Sequence, residues 1–75
     1  MDESTPQRLK RIARPITKEL GVTEVWDIVG SQKNTRWELV IFRDPEVRLT
    51  IEVQPSDENI KRDLRTALQG ALGNQ

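Results

Sequence analysis

The groups this chain could use for chemistry are few. Its 75 residues include neither histidine nor cysteine, which removes the imidazole base, the thiolate nucleophile, the disulfide and the Cys/His metal or haem site. Carboxylates and cations remain, twelve Asp+Glu against twelve Lys+Arg for a formal charge of zero. Glu38, Asp44 and Glu52 could exchange protons, and Lys33 or Arg36 could hold a phosphate. Those pieces suffice for phosphodiester cleavage, but nothing in their spacing makes them converge. No D-x-D-like cluster offers ligands to a cation, so no metal and no cofactor is expected. The balanced charge also lacks the positive excess of a non-specific nucleic-acid binder.

These groups must be positioned by one small domain, because a chain of this length has room for a single core. The expected domain spans residues 1–75, with 1–5 and 74–75 as flexible ends. Apolar residues make up 35% and charged residues 32%, a globular balance with mixed signs. The start Met1-Asp2-Glu3-Ser4 is no secretory signal, and no apolar run is long enough to span a membrane. Without cysteines or a signal, the expected compartment is the cytoplasm.

Thr5-Pro6 reads as the start of a helix. Leu9, Ile12, Ala13, Ile16 and Leu20 form its apolar stripe, and Gly21 ends it. Pro15 lies inside this pattern and predicts a kink near residues 11–15 or two short helices in series. Val22–Val29 reads as a strand with Trp26 and Ile28 inward, since Asp27 on the other side is costly to bury. Residues 30–35 supply a hairpin loop. Arg36–Phe42 is a second strand, with Trp37, Leu39 and Ile41 on one face, followed by a turn at Arg43-Asp44-Pro45-Glu46. Val47–Val53 alternates apolar and polar residues as a half-buried strand does. Pro55-Ser56 then caps a helix with Asp57 and Glu58 in its first turn. Its stripe is Ile60, Leu64, Ala67, Leu68 and Ala71; Asp57–Lys61 and Glu58–Arg62 are favourable i,i+4 pairs, and Gly73 ends it.

Three strands joined by short loops form an antiparallel meander. Two apolar helical stripes need one face of it. The predicted fold is therefore α+β, a two-layer α-β-β-β-α domain with both helices on one side of a three-stranded antiparallel sheet.

Three surfaces of that slab could carry function. Gln7, Arg11, Arg14 and Lys18 lie opposite the buried stripe of the first helix, flanked by Arg8 and Lys10. They are either a solvated face or a basic ridge that tracks phosphates. Ser31 to Arg36, with Lys33 and Arg36 as its cations, is either a plain turn or a loop that touches a nucleic-acid backbone. On the uncovered side of the sheet, Val25, Val29, Val40 and Phe42 would form an apolar patch, a natural seat for a protein partner or a second copy. Trp26 and Trp37 belong in the core rather than on a stacking platform.

The element order also resembles the double-stranded-RNA-binding domain and the HicA family of small RNA-cleaving toxins. The residues that resemble HicA are Gly30-Ser31-Gln32, Arg43-Asp44-Pro45, Thr50-Ile51-Glu52-Val53-Gln54-Pro55 and Leu64-Arg65-Thr66-Ala67-Leu68, within residues 8 to 73. The resemblance implies an RNA-contacting protein of toxin–antitoxin or mobile-element type; the nucleic-acid contacts expected from the helix ridge and the hairpin loop are Arg11, Arg14, Lys18, Lys33 and Arg36. The family's hairpin histidine corresponds to Gln32, an amide that cannot exchange a proton near neutral pH, so standard ribonuclease catalysis is not expected. Duplex-RNA-binding domains present lysines at the start of the last helix, where this chain has Asp57 and Glu58. The alternative is a protein-interaction module with no nucleic-acid role: a phage-type inhibitor, an antitoxin-like partner or a homodimer through the open sheet, using Val25, Val29, Val40 and Phe42.

Overall fold

A capping box starts the first helix, α1 (Thr5–Glu19). The Ser4 hydroxyl accepts from the Gln7 amide, and the Gln7 side chain accepts from the Ser4 amide at 2.9 Å, satisfying two donors that a helix start leaves open. The cap is thus Ser4 rather than Thr5, which is the first residue of the helix. The computed structural model describes residues 3–31 and 36–73. The remaining elements are β1 (Trp26–Ser31), β2 (Arg36–Ile41), β3 (Val47–Ile51) and α2 (Asp57–Gly73).

Pro15 does not divide α1 in two; the helix is continuous through it. Pro15 and Arg11 both face solvent, so water can serve the Arg11 carbonyl that the missing amide leaves open. At the far end Gly21 adopts φ +77°. Its amide donates to the Lys18 carbonyl, and the Val22 amide donates to that of Thr17 at 2.9 Å. This left-handed cap closes the helix and turns Val22 onto the core. That use of residues 21–25 is why β1 begins at Trp26, not at Val22.

The sheet order is β1-β2-β3, antiparallel throughout. Trp26 pairs with Ile41, Ile28 with Leu39, Leu39 with Leu49 and Trp37 with Ile51, so these side chains share one face. That face meets both helices: Leu9, Ile12, Ala13 and Ile16 of α1 and Ile60, Leu64 and Leu68 of α2 join Ile28, Leu39, Ile41 and Ile51 in one core. Trp26 and Trp37 pack against it, half-buried. The helices run side by side in the same direction, joined by Arg8–Asp57 near their starts and by Glu19–Arg65 at 3.2 Å further along. In α2 the buried stripe is narrower than expected. Ala67 is half-buried and Ala71 exposed, while Leu72 packs on the core instead. The second and third strands end at Ile41 and Ile51, not at Phe42 and Val53.

Gly30 and Ser31 extend β1 rather than beginning a loop. Gly30 faces Trp37 across the ladder, and a Cβ there would stand 2.5 Å from the indole Cε3 and 2.7 Å from the Arg36 carbonyl oxygen. Glycine is what lets the indole lie over the strand. Gly70, by contrast, sits within α2 with open space around it. Gly30→Ala should therefore destabilise the fold by about 1–3 kcal/mol through overpacking. Gly70→Ala should stabilise it by about 0.5–1 kcal/mol through helix propensity. Urea unfolding of both variants checks the opposite signs.

Candidate interaction surfaces

The cations of α1 are largely tied to neighbouring elements. Arg8, whose side chain is only 20% exposed, donates through Nε to Asp57 Oδ1 at 2.7 Å. Its Nη2 donates to the Gln54 and Pro55 carbonyls at 2.8 and 3.0 Å. One guanidinium thus clamps the β3–α2 connection and the first residue of α2 to α1, a use of the planar donor fork that a lysine could not repeat. Arg11 is held by Glu3 at 2.6 Å and by Asp57 at 3.1 Å. The expected Asp57–Lys61 and Glu58–Arg62 pairs do not form among the described contacts. Asp57 looks across to α1, where two guanidinium groups outcompete one flexible ammonium, and Arg62 contacts Asp63 instead. The Arg8 bond, followed by that of Arg11, holds the Asp57 carboxyl below its ordinary pKa, and Arg11 does the same for Glu3.

Lys10 turns the other way, to the edge of the sheet, where its ammonium lies 3.0 Å from Asp27 Oδ1. The same oxygen accepts from the Ile28 amide at 2.8 Å. The Phe42 amide donates to the Val25 carbonyl at 2.8 Å, so by antiparallel alternation Val25, Asp27 and Val29 direct their backbone groups to β2. Trp26, Ile28 and Gly30 direct theirs to the open edge. Asp27 therefore blunts the β1 edge at its centre, as natural edge strands commonly require. Lys10 first, then the Ile28 amide, keeps this carboxyl below its ordinary pKa.

Between α1 and this edge runs a groove of 370 Å³, with Lys10 and Arg14 on one wall and residues Thr23 to Asp27 on the other. Glu24 is bridged to Arg43 at 3.4 Å. Of its charged groups, only Arg14 has no ion pair among the described residues.

Among the described nucleic-acid candidates, Arg36 stands apart from the three on α1. Arg11 is neutralised, Arg14 and Lys18 stay exposed on α1, and Lys33 lies outside the described residues, as does Gln32. Arg36 starts β2 opposite Ser31, whereas the groove lies at the Trp26–Ile41 end of the same ladder, about 17 Å away at the rise of a strand. Of the candidate acids, Glu38 is opposite Thr50, two residues from Glu52, while Asp44 lies apart from both. Glu38 bonds Arg48 on the open sheet face, Asp44 occupies the turn beyond the other end of β2, and Glu52 follows β3. Among the described residues no group of acids is placed to hold a metal.

The open sheet face carries Asp27, Val29, Glu38, Val40, Arg48 and Thr50, with Val25 and Phe42 continuing it beyond the β1–β2 ladder. Val40 is 1% exposed. It sits on the central strand between Asp27 and Arg48, so it acts as the floor of the patch rather than its contact surface. Val25 and Phe42 are 73% and 50% exposed, and Val29 is half-buried.

No protein-family model, curated protein or solved structure compared with the chain matches it. No helix among the described residues is long and apolar enough to cross a membrane.

Because Asp57 and Asp27 titrate below their ordinary values in the fold, the unfolded chain binds more protons than the native one across the acid range. Their contribution is complete above the unfolded carboxyl pKa of about 4 and is lost as pH falls through the lower folded values. The urea midpoint should fall between pH 6 and pH 2, and Asp57→Asn should flatten that fall. At pH 7, Arg8→Ala should lower the midpoint more than Arg14→Ala, because only Arg8 joins two elements.

Proposed function

We propose that this chain is a protein-interaction module that presents the sheet face opposite its helices to a protein partner. The observation that carries the reading is the Val25–Phe42 corner. Two large apolar side chains stand exposed opposite each other on a face neither helix covers, with Asp27 and the buried Val40 separating them from the half-buried Val29. A small domain gains nothing in stability from that exposure, whereas a partner removing it from water would gain about 25 cal/mol per Å² of apolar surface. The charges around it support the same reading. Arg48 bridges Glu38 at 3.1 Å and Glu46 at 2.7 Å, forming a polar rim of mixed sign rather than a cationic track.

The RNA-contacting reading rests, among the described residues, on Arg14, Lys18 and Arg36, which are exposed and have no ion pair there. On α1 the neighbouring Arg8, Lys10 and Arg11 are each occupied by an acid, so the ridge offers fewer phosphate contacts than its sequence suggests.

Paired variants separate the two. Affinity capture should retain one or more proteins on the unaltered chain, lose them with Val25→Glu/Phe42→Glu, and keep them with Arg14→Glu/Lys18→Glu. Labelled RNA should not be retarded at low ionic strength. Salt-sensitive retardation abolished by Arg14→Glu/Lys18→Glu, with no protein retained through Val25 and Phe42, would sink the interaction reading in favour of RNA.

A further inference from the structure

The two edges of the sheet are treated differently. The β1 edge is blocked by Asp27. At the other edge, the alternation set by the Phe42–Val25 bond turns Leu39 and Ile41 toward β3. Val47, Leu49 and Ile51 therefore bond to β2, Arg48 and Thr50 point their backbone groups outward, and Glu52 follows the last residue of the strand. Among the described residues no side chain caps those groups. Arg48, Thr50 and Glu52 are all exposed, as is Val53 at 37%. An uncapped edge is a template for another strand.

What strand fits it is written in the edge itself. Val47-Arg48-Leu49-Thr50-Ile51-Glu52-Val53 is symmetric about Thr50 in size and polarity, and opposite in charge at the one charged pair. We propose that a second copy of this chain pairs antiparallel with β3 about a two-fold axis through Thr50, extending the sheet to six strands. In that register Thr50 faces Thr50 of the second copy, and each Arg48 faces a Glu52. Leu49 faces Ile51 and Val47 faces Val53 on the core side. Threonine pairs and opposite charges are both favourable across antiparallel strands. Arg48 engages Glu46 through Nε and Glu38 through Nη1, and its Nη2 makes no bond among the described residues. The outward groups of Thr50 place the axis at a hydrogen-bonded pair, so the backbone bonds on the edge all find partners. Beneath the edge, a notch of 30 Å³ lies between Ile51 and the α2 residues Ile60 and Leu64, next to where Leu49 of the second copy would lie. A net charge of zero sets no long-range repulsion against the pairing. The pairing leaves Val25 and Phe42 uncovered at the outer end of each subunit, so it stands or falls separately from the partner reading above.

The absence of cysteine makes the test direct. Across a hydrogen-bonded antiparallel pair the two Thr50 Cα atoms are about 5.5 Å apart, within disulfide reach. The two Glu52 Cα atoms are about 14 Å apart in this register, beyond it. Mild oxidation should link Thr50→Cys into a dimer at least about tenfold faster than Glu52→Cys or Val29→Cys, given that reach. Light scattering of the unaltered chain should show the mass rising with concentration from 8.7 kDa toward twice that value. Thr50→Pro removes an outward amide without touching the β2 ladder; it should stay monomeric with its circular dichroism unchanged. Glu52→Arg, which sets arginines opposite one another, should also stay monomeric. A monomer up to about 1 mM with equal linking rates for the three cysteine variants would overturn the proposal. So would a dimer that survives Thr50→Pro and is lost with Phe42→Glu.

Discussion

A three-stranded sheet has two faces, and this chain has apolar side chains enough to bury only one of them. That constraint orders the molecule. Both helical stripes are drawn to the same layer of Ile28, Leu39, Ile41 and Ile51, because an apolar stripe left in water costs more than the crowding of two helices over three strands. The other face is left to what remains: ion pairs along β2 and β3, and an apolar corner where the chain enters and leaves the β1–β2 ladder.

Charge in this protein serves mostly as fastening. Acids and bases are equal in number, and the fold decides which cations meet an acid and which, like Arg14 and Lys18, have no ion pair among the described residues. Arg8 and Arg11 converge on Asp57, Lys10 reaches Asp27 over the sheet edge, and Arg65 meets Glu19 between the helices. The Arg8 clamp matters beyond its charge. It gives two carbonyls of the β3–α2 connection a donor and so sets where α2 begins relative to α1. The consequence for function runs through the same contacts: cations used as fasteners are withdrawn from any phosphate, while the uncovered sheet face keeps its apolar corner.

Much of this was legible residue by residue. The alternation of Val47 to Val53 and the two helical stripes specify element types, order and inward faces, since periods of two and 3.6 depend only on local geometry. The facing of β1 followed from the cost of burying Asp27. Boundaries were less legible. Val22 to Val25 have strand-like side chains, but the left-handed turn at Gly21 spends them on closing α1. Pro15 suggested a break, and solvent exposure of its face removed the need for one. Contacts between residues 46 to 49 positions apart, such as those of Arg8, leave no periodic trace in sequence at all.

By itself, then, the amino-acid sequence determined the types and order of the elements, the apolar sides of the helices and of the second and third strands, and that histidine and cysteine chemistry is not available, because composition and periodicity are properties of neighbours along the chain. Only the tertiary structure decided which acid answers which base, that Val40 is a floor while Val25 and Phe42 are surface, and that one sheet edge is stoppered while the other is open. Those are matters of distance between segments, and distance is set by packing.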